Sequence, residues 1–157
     1  MTDDQVVGPE AEVTLREITE ATVVQICKLS DTLSEQQQRM VASNARSIAQ
    51  AHFSDKAWFR AIYADETPVG FIMLYDDPEE PEYFLWRLMV AGPHQGKGYA
   101  RRAVEQLIEY VKTRPGAEGL LTSHVPLEGG PEGFYRKLGF EPTGEELHGE
   151  VLMRLGL

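Results

Sequence analysis

Apolar positions recur with two different periods along the chain. Val13-Thr14-Leu15-Arg16-Glu17-Ile18 alternates apolar and polar, which predicts a strand. Thr19 stands as the N-cap of a helix carrying Val23, Ile26 and Cys27 on one face. Ser34 stands as the cap of a second helix, with Val41, Ala45, Ile48 and His52 or Phe53 recurring every three to four residues. Trp58–Ala64 and Val69–Tyr75 are β-rich runs around Asp65-Glu66-Thr67-Pro68 and predict a hairpin. Tyr83–Val90 is almost continuously apolar and aromatic, as a central strand covered on both faces requires. Ala100, Ala103, Val104, Leu107, Ile108 and Val111 then recur at steps of 3, 1, 3, 1 and 3, a strongly amphipathic helix. Gly119–Val125 predicts a further strand. Pro131 opens a short helix that runs to Leu138 and stops at Gly139. Glu150–Leu155 predicts a last strand, and one more fits around Phe140.

The predicted order is β-α-α-β-β-β-α-β-α-β. Long helices on a mixed sheet make the fold class α/β or α+β, not a bundle or a sandwich. A length of 157 residues fits a single domain over residues 1–157 and can bury one core without staples. Residues 1–11 are polar, contain Gly8-Pro9 and read as a loose tail.

Composition narrows the function. The net charge of −10 disfavours sequence-independent nucleic-acid binding, because phosphates would be repelled. No apolar run is long enough to span a membrane, and Met1–Gln5 lacks the basic start of a signal peptide. Cys27, the one cysteine, excludes an intrachain disulfide and a multi-cysteine zinc site. It reads as a small core residue. His52, His94 and His148 show no metal-ligand spacing, so no metal is expected. The expected location is cytoplasmic.

The charge is uneven. Asp65–Leu85 holds seven acidic residues and no basic one; Arg87–Arg114 holds six basic residues against Glu105 and Glu109. The two segments fit either solvated faces or an anionic ligand beside a cationic one.

Gln95-Gly96-Lys97-Gly98-Tyr99-Ala100 lies between the central strand and the strong helix. Glycines let the backbone bend and let a ligand approach the peptide N–H groups. A helix N-terminus adds unsatisfied donors and partial positive charge, so the turn is an anion site suited to phosphate. Lys97, Arg101 and Arg102 place positive charge at its rim. A plain strand-to-helix turn is the alternative. A Walker A loop fails because Gly98 follows Lys97, and a dinucleotide fingerprint fails because Arg101 occupies its third glycine position.

These residues resemble the GNAT superfamily of acetyl-CoA-dependent N-acetyltransferases. Its Gln/Arg-x-x-Gly-x-Gly/Ala signature is met by Gln95, Gly98 and Ala100. Phe134-Tyr135-Arg136-Lys137-Leu138-Gly139-Phe140 matches a second family feature, in the right order, and the likeness covers roughly residues 13–155. Leu85–Val90 after an acidic loop also looks like the spermine/spermidine acetyltransferase branch. The resemblance implies a central sheet of mixed, mostly antiparallel strands flanked by helices. It implies acetyl-CoA as cosubstrate, held by the backbone at Gln95, Gly96, Lys97, Gly98, Tyr99, Ala100 and Arg101 and by Leu88, Met89 and Val90. It further implies that Tyr135 donates a proton to the leaving thiolate, where a packed aromatic is the other reading.

The family position for a glutamate base holds Trp86 here. Glu82 is the nearest carboxylate and the leading candidate, with Asp76, Glu80, Glu128, His124 and ordered water behind it. Phe84 and Trp86 are candidate acceptor-binding residues, since aromatic faces suit a cationic amine. Arg87 is expected to pair with an acid at a strand end. Asn44, Arg46 and Ser47 lie on a helix near the acceptor entrance and read by default as helix surface. The expected acceptor is a small primary amine, with the acidic run pointing to a polyamine. Peptide, lysine or antibiotic N-acetylation and a non-catalytic acyl-CoA-binding domain are the alternatives. Homodimers are common in the family the chain resembles, and an exposed edge of the final strand is a surface that could pair.

Overall fold

A computed structural model describes residues 7–157. Seven strands form one sheet in the order β1-β2-β3-β4-β5-β7-β6. They are β1 (Val13–Arg16), β2 (Ala57–Ala64), β3 (Thr67–Tyr75), β4 (Glu82–Val90), β5 (Gly119–His124), β6 (Glu141–Leu147) and β7 (Glu150–Gly156). Every pair is antiparallel except β4–β5. The helices are α1 (Val23–Lys28), α2 (Glu35–Met40), α3 (Asn44–His52), α4 (Tyr99–Lys112) and α5 (Glu132–Lys137). The mixed, mostly antiparallel sheet with flanking helices is the α/β layout expected.

Alternation along the strands feeds two separate cores. Ile62, Ala64, Ile72, Leu74, Leu85 and Val90 pack with α4 residues Ala103, Val104, Leu107 and Val111. Ala61, Tyr63, Phe71, Met73 and Met89 pack on the other face with Ile26, Leu33 and Ile48. The period-2 geometry of a strand requires such a split when both faces are covered.

Three local expectations change. The helix predicted after Ser34 is two helices. Ser34 and Gln37 form a capping box at α2, but Val41 is extended and Ser43 starts α3 by accepting from Arg46 N–H (3.2 Å). A second capping residue inside the periodic run thus restarts the helix. Thr19 is not the cap of α1; Thr22 holds that position, and its hydroxyl accepts from Thr19 N–H (2.9 Å). Cys27 is only half-buried, and Ile26 fills the core there.

The expected tail is also revised. Residues 1–6 lie outside the described residues. Val7 and Ala11 are buried. Lys97 Nζ donates to Val7 O (2.8 Å), and Arg102 donates to Pro9 O (2.8 Å) and Ala11 O (2.6 Å). This segment is therefore held against the start of α4.

β3 and β4 approach closely at Gly70, where an added Cβ would meet the Met89 carbonyl oxygen. That neighbour is backbone and cannot swing away. Gly70→Ala is expected to destabilise the fold by about 1–3 kcal/mol, read as a lower midpoint in urea unfolding.

Candidate active site

β4 and β5 pair only from Glu82↔Gly119 to Leu85↔Thr122. Their outer ladders continue, β3–β4 to Gly70↔Val90 and β5–β7 to His124↔Val151. The two halves of the sheet therefore part beyond Leu85 and Thr122. The gap belongs to a cleft of about 660 Å³, within the range of small-ligand sites. A bulge marks the fork: Met73 faces Arg87 and Leu74 faces Leu85, leaving Trp86 as the extra residue. Strict alternation would set Trp86 with Leu88 and Val90. Instead Leu88 and Val90 join the α4 side, and Trp86 joins the α3 side with Met89.

The glycine turn stands at one end. Gly96 and Gly98 have φ of 78° and 80°, in the left-handed region that favours glycine. Gly98 is the N-cap of α4, and the first helical bond runs from Arg102 N–H to Gly98 O (3.2 Å). Among the described hydrogen bonds the N–H groups of Gly96 through Arg101 have no acceptor. Six consecutive donors at a helix N-terminus suit a pyrophosphate. Gln95 does different work: it donates to Val90 O (2.9 Å) and exchanges side-chain bonds with Gln37, tying α2 to the end of β4. Lys97 and Arg102 are spent on the N-terminal segment, and Arg101 pairs with Glu105 (2.9 Å). The backbone, more than these side chains, is free to meet an anion. Leu88, Met89, Val90, Gln95 and Ala100 line the cleft.

Tyr135 faces the middle of the cleft from α5. Its ring contacts Phe134 and Phe140 edge-on, with centroids 5.2 and 5.4 Å away. It is 6% exposed. Burial pushes its phenol up to about 12, with the Thr122 hydroxyl pulling weakly the other way and the Glu150 charge adding to the rise. The group is protonated at neutral pH and can donate. Folding favours the neutral phenol, so this contribution to stability is intact below pH 10 and is lost as pH rises through about 12. Thermal melts across pH 9–12 are expected to fall more for the wild type than for Tyr135→Phe.

Glu82 does not reach the cleft. It sits at the far end of β4, where both carboxylate oxygens accept from Arg154 Nε (3.0 and 2.9 Å). Two further acids of the run are similarly engaged. Asp76 accepts from Arg114 Nε and Tyr110 O–H (each 2.9 Å), and Asp77 pairs with Lys56 (3.6 Å). Phe84 lies in the paired part of β4, opposite Tyr75 and Leu121, away from the cleft lining. Trp86 does line it.

The cleft's one carboxylate among the described residues is Glu150, at the start of β7, which accepts from Ser123 O–H (3.3 Å). His124 also lines the cleft. Its Nδ1 lies 3.3 Å from Val125 O, and its buried Nε2 has no partner among the described residues. Among the described residues Arg87 finds no acid. It donates to Trp86 O (3.0 Å) and Gln50 Oε1 (3.1 Å), and its Nε is buried without a partner. Burial, and then Arg46, hold its pKa below the ordinary arginine value, while the charge of Glu150 raises it. Arg46 reaches the cleft from α3, whereas Asn44 and Ser47 are buried packing residues. Glu150 carries no local motif; only the β5–β7 pairing brings it beside Ser123.

Among the described residues no three His, Cys, Asp or Glu side chains converge as a metal site, and no helix is long and apolar enough to cross a membrane.

Residues 24–140 match the model of the acetyltransferase (GNAT) family. The chain belongs to that family, whose members use acetyl-CoA. It is 35% identical over 95 residues to an L-2,4-diaminobutyric acid acetyltransferase from Streptomyces avermitilis, a match covering 60% of this chain and 52% of the relative. It thus spans about half the length of that curated relative. An acetyltransferase structure from Thermus thermophilus superposes with TM-score 0.76 at 16% identity, covering 92% of this chain and 97% of that one. A PaiA N-acetyltransferase from Thermoplasma acidophilum, in complex with coenzyme A, gives TM-score 0.66 at 16% identity and covers 93% and 99%. At these identities the structural likeness is one of fold.

Proposed function

We propose that this chain transfers the acetyl group of acetyl-CoA directly to a primary amine of a small acceptor. The observation that carries this reading is one cleft, at the fork of β4 and β5, which reaches Gln95 and Ala100 on either side of the glycine turn and also holds a buried, protonated tyrosine and a lone carboxylate. Acetyl-CoA supplies the activated thioester. The N–H groups of Gly96–Arg101 hold the pyrophosphate, and Leu88–Val90 border the slot for the pantetheine arm. Tyr135 O–H gives the leaving sulfur a proton. A free alkylamine is mostly ammonium at neutral pH. Glu150, oriented by Ser123, takes one proton from the ammonium first. The freed lone pair forms the C–N bond, and the C–S bond breaks as Tyr135 protonates the sulfur. The second amine proton, released as the amide forms, returns to Tyr135 through solvent.

Glu150 replaces Glu82 in this reading because Glu82 is committed to Arg154. Polyamine acceptors lose their support for a similar reason, since none of the acidic residues from Asp76 to Glu82 lines the cleft, and Asp76, Asp77 and Glu82 are paired elsewhere. The relative named for L-2,4-diaminobutyric acid supports a small amine. The chain is read as a cytoplasmic enzyme with a small-molecule partner and no nucleic acid.

Glu150→Gln tests the proton acceptor. It keeps the side-chain shape and the bond from Ser123. It is expected to lower kcat about 10²-fold or more at saturating amine, followed as thiol release. An unchanged kcat would remove Glu150 from the mechanism.

A further inference from the structure

The acceptor mouth of the cleft has the wrong charge for a simple amine. Arg39, Arg46 and Arg87 all line it, against Glu150 alone. The chain holds 25 acidic residues and 15 lysines and arginines. Acid partners are plentiful, and eight of those cations take one: Arg16, Lys56, Arg60, Arg101, Lys112, Arg114, Arg136 and Arg154. Among the described residues none of the three cleft arginines does. Arg87 is the most telling. The bulge at Trp86 turns it toward α3, where Gln50 accepts one N–H at 3.1 Å and the Nε donor is buried and unpartnered. Arg46 stands one helical turn before Gln50, the acceptor of Arg87, and lines the same cleft. Two like charges lining one cleft, one of them with an unused buried donor, are costly unless an anion joins them.

We propose that the acceptor carries a carboxylate as well as its amine, and that Arg87, with Arg46, binds that carboxylate. A planar guanidinium matches a carboxylate with two parallel hydrogen bonds, which an amine cannot accept. Glu150 lines the same cleft as Arg87 and Arg46. The mouth therefore presents positive and negative poles to the two ends of an amino acid. Arg39, exposed on α2, adds attraction at the rim. The inference rests on the acetyltransferase reading for which end reacts, but carboxylate recognition can be measured without turnover.

Acceptor pairs that differ only in the carboxylate decide it: 2,4-diaminobutyrate against 1,3-diaminopropane, ornithine against putrescine, and lysine against cadaverine. For the wild type, kcat/KM is expected to favour an amino acid over its diamine by about 10²-fold or more, because a site built for a polar group rejects the analogue lacking it. In Arg87→Gln and Arg46→Gln that ratio is expected to fall about 10- to 100-fold, mainly through KM. Arg46 is exposed on α3, so Arg46→Gln keeps the test open if Arg87→Gln does not fold. Calorimetry of the same six compounds with the CoA-loaded protein repeats the comparison without chemistry. Tighter binding of an amino acid, weakened in either variant, supports the inference even if no amine is acetylated, which would instead sink the proposed reaction. Diamines that bind and react as well as the amino acids, or no binding by any amino acid, would overturn it.

Discussion

Tyr135→Phe is expected to lower kcat about 10²-fold or more while coenzyme A binds as before. The variant removes one oxygen and keeps the ring that packs against Phe134 and Phe140. The lost group is a phenol that burial holds near 12, so it carries its proton throughout the physiological range. A leaving thiolate without a donor departs from an apolar slot as a bare anion, and a general acid of this kind contributes about 10²–10⁴-fold. Steady-state kinetics at saturating amine, with calorimetric titration of CoA, separates the two effects. Equal loss in kcat and CoA affinity would mean that Tyr135 shapes the cleft and does no proton work.

Gly98→Glu is expected to weaken CoA binding about 10²-fold with little loss of fold. Gly98 has φ of 80°, and the space its Cβ would occupy is open within 4 Å. A side chain there meets no protein atom, so the folded chain bears only local backbone strain, about 1–2 kcal/mol. The ligand meets more. A carboxylate about 6–8 Å from a pyrophosphate charge repels it by roughly 2–3 kcal/mol at an effective dielectric of about 20, which is about 10²-fold in Kd. Titration with CoA checks this, and unchanged affinity would mean that the anion site lies elsewhere.

The elements that a single period could show were legible in the sequence. The 3.6-residue recurrence from Ala100 to Val111 is α4, and the runs around Asp65-Glu66 are the β2–β3 hairpin. The glycine turn was legible as well, because two glycines before an amphipathic helix leave few other conformations. What depends on long-range pairing was not. Glu82 is close to Trp86 in sequence, but four strand residues separate them by about 13 Å, toward the paired end of the sheet. Glu150 is distant in sequence and reaches the cleft only through β7. The bulge at Trp86 was hidden because Leu85-Trp86-Arg87-Leu88 fits either strict alternation or one slipped residue. That slip sends Arg87 toward Gln50 when an acid partner was the ordinary expectation. The break between α2 and α3 left one local sign, Ser43, masked by apolar positions that keep helical phase across it.

The most direct measurement is thiol release from acetyl-CoA by the wild-type protein across a panel of primary amines, including amino acids, polyamines, aminoglycosides and lysine peptides. Acetyl transfer at the β4–β5 fork predicts release that requires an amine and reaches its highest rate with one small-acceptor class. CoA that binds with no release for any amine would contradict it and leave a domain that holds acyl-CoA without using it.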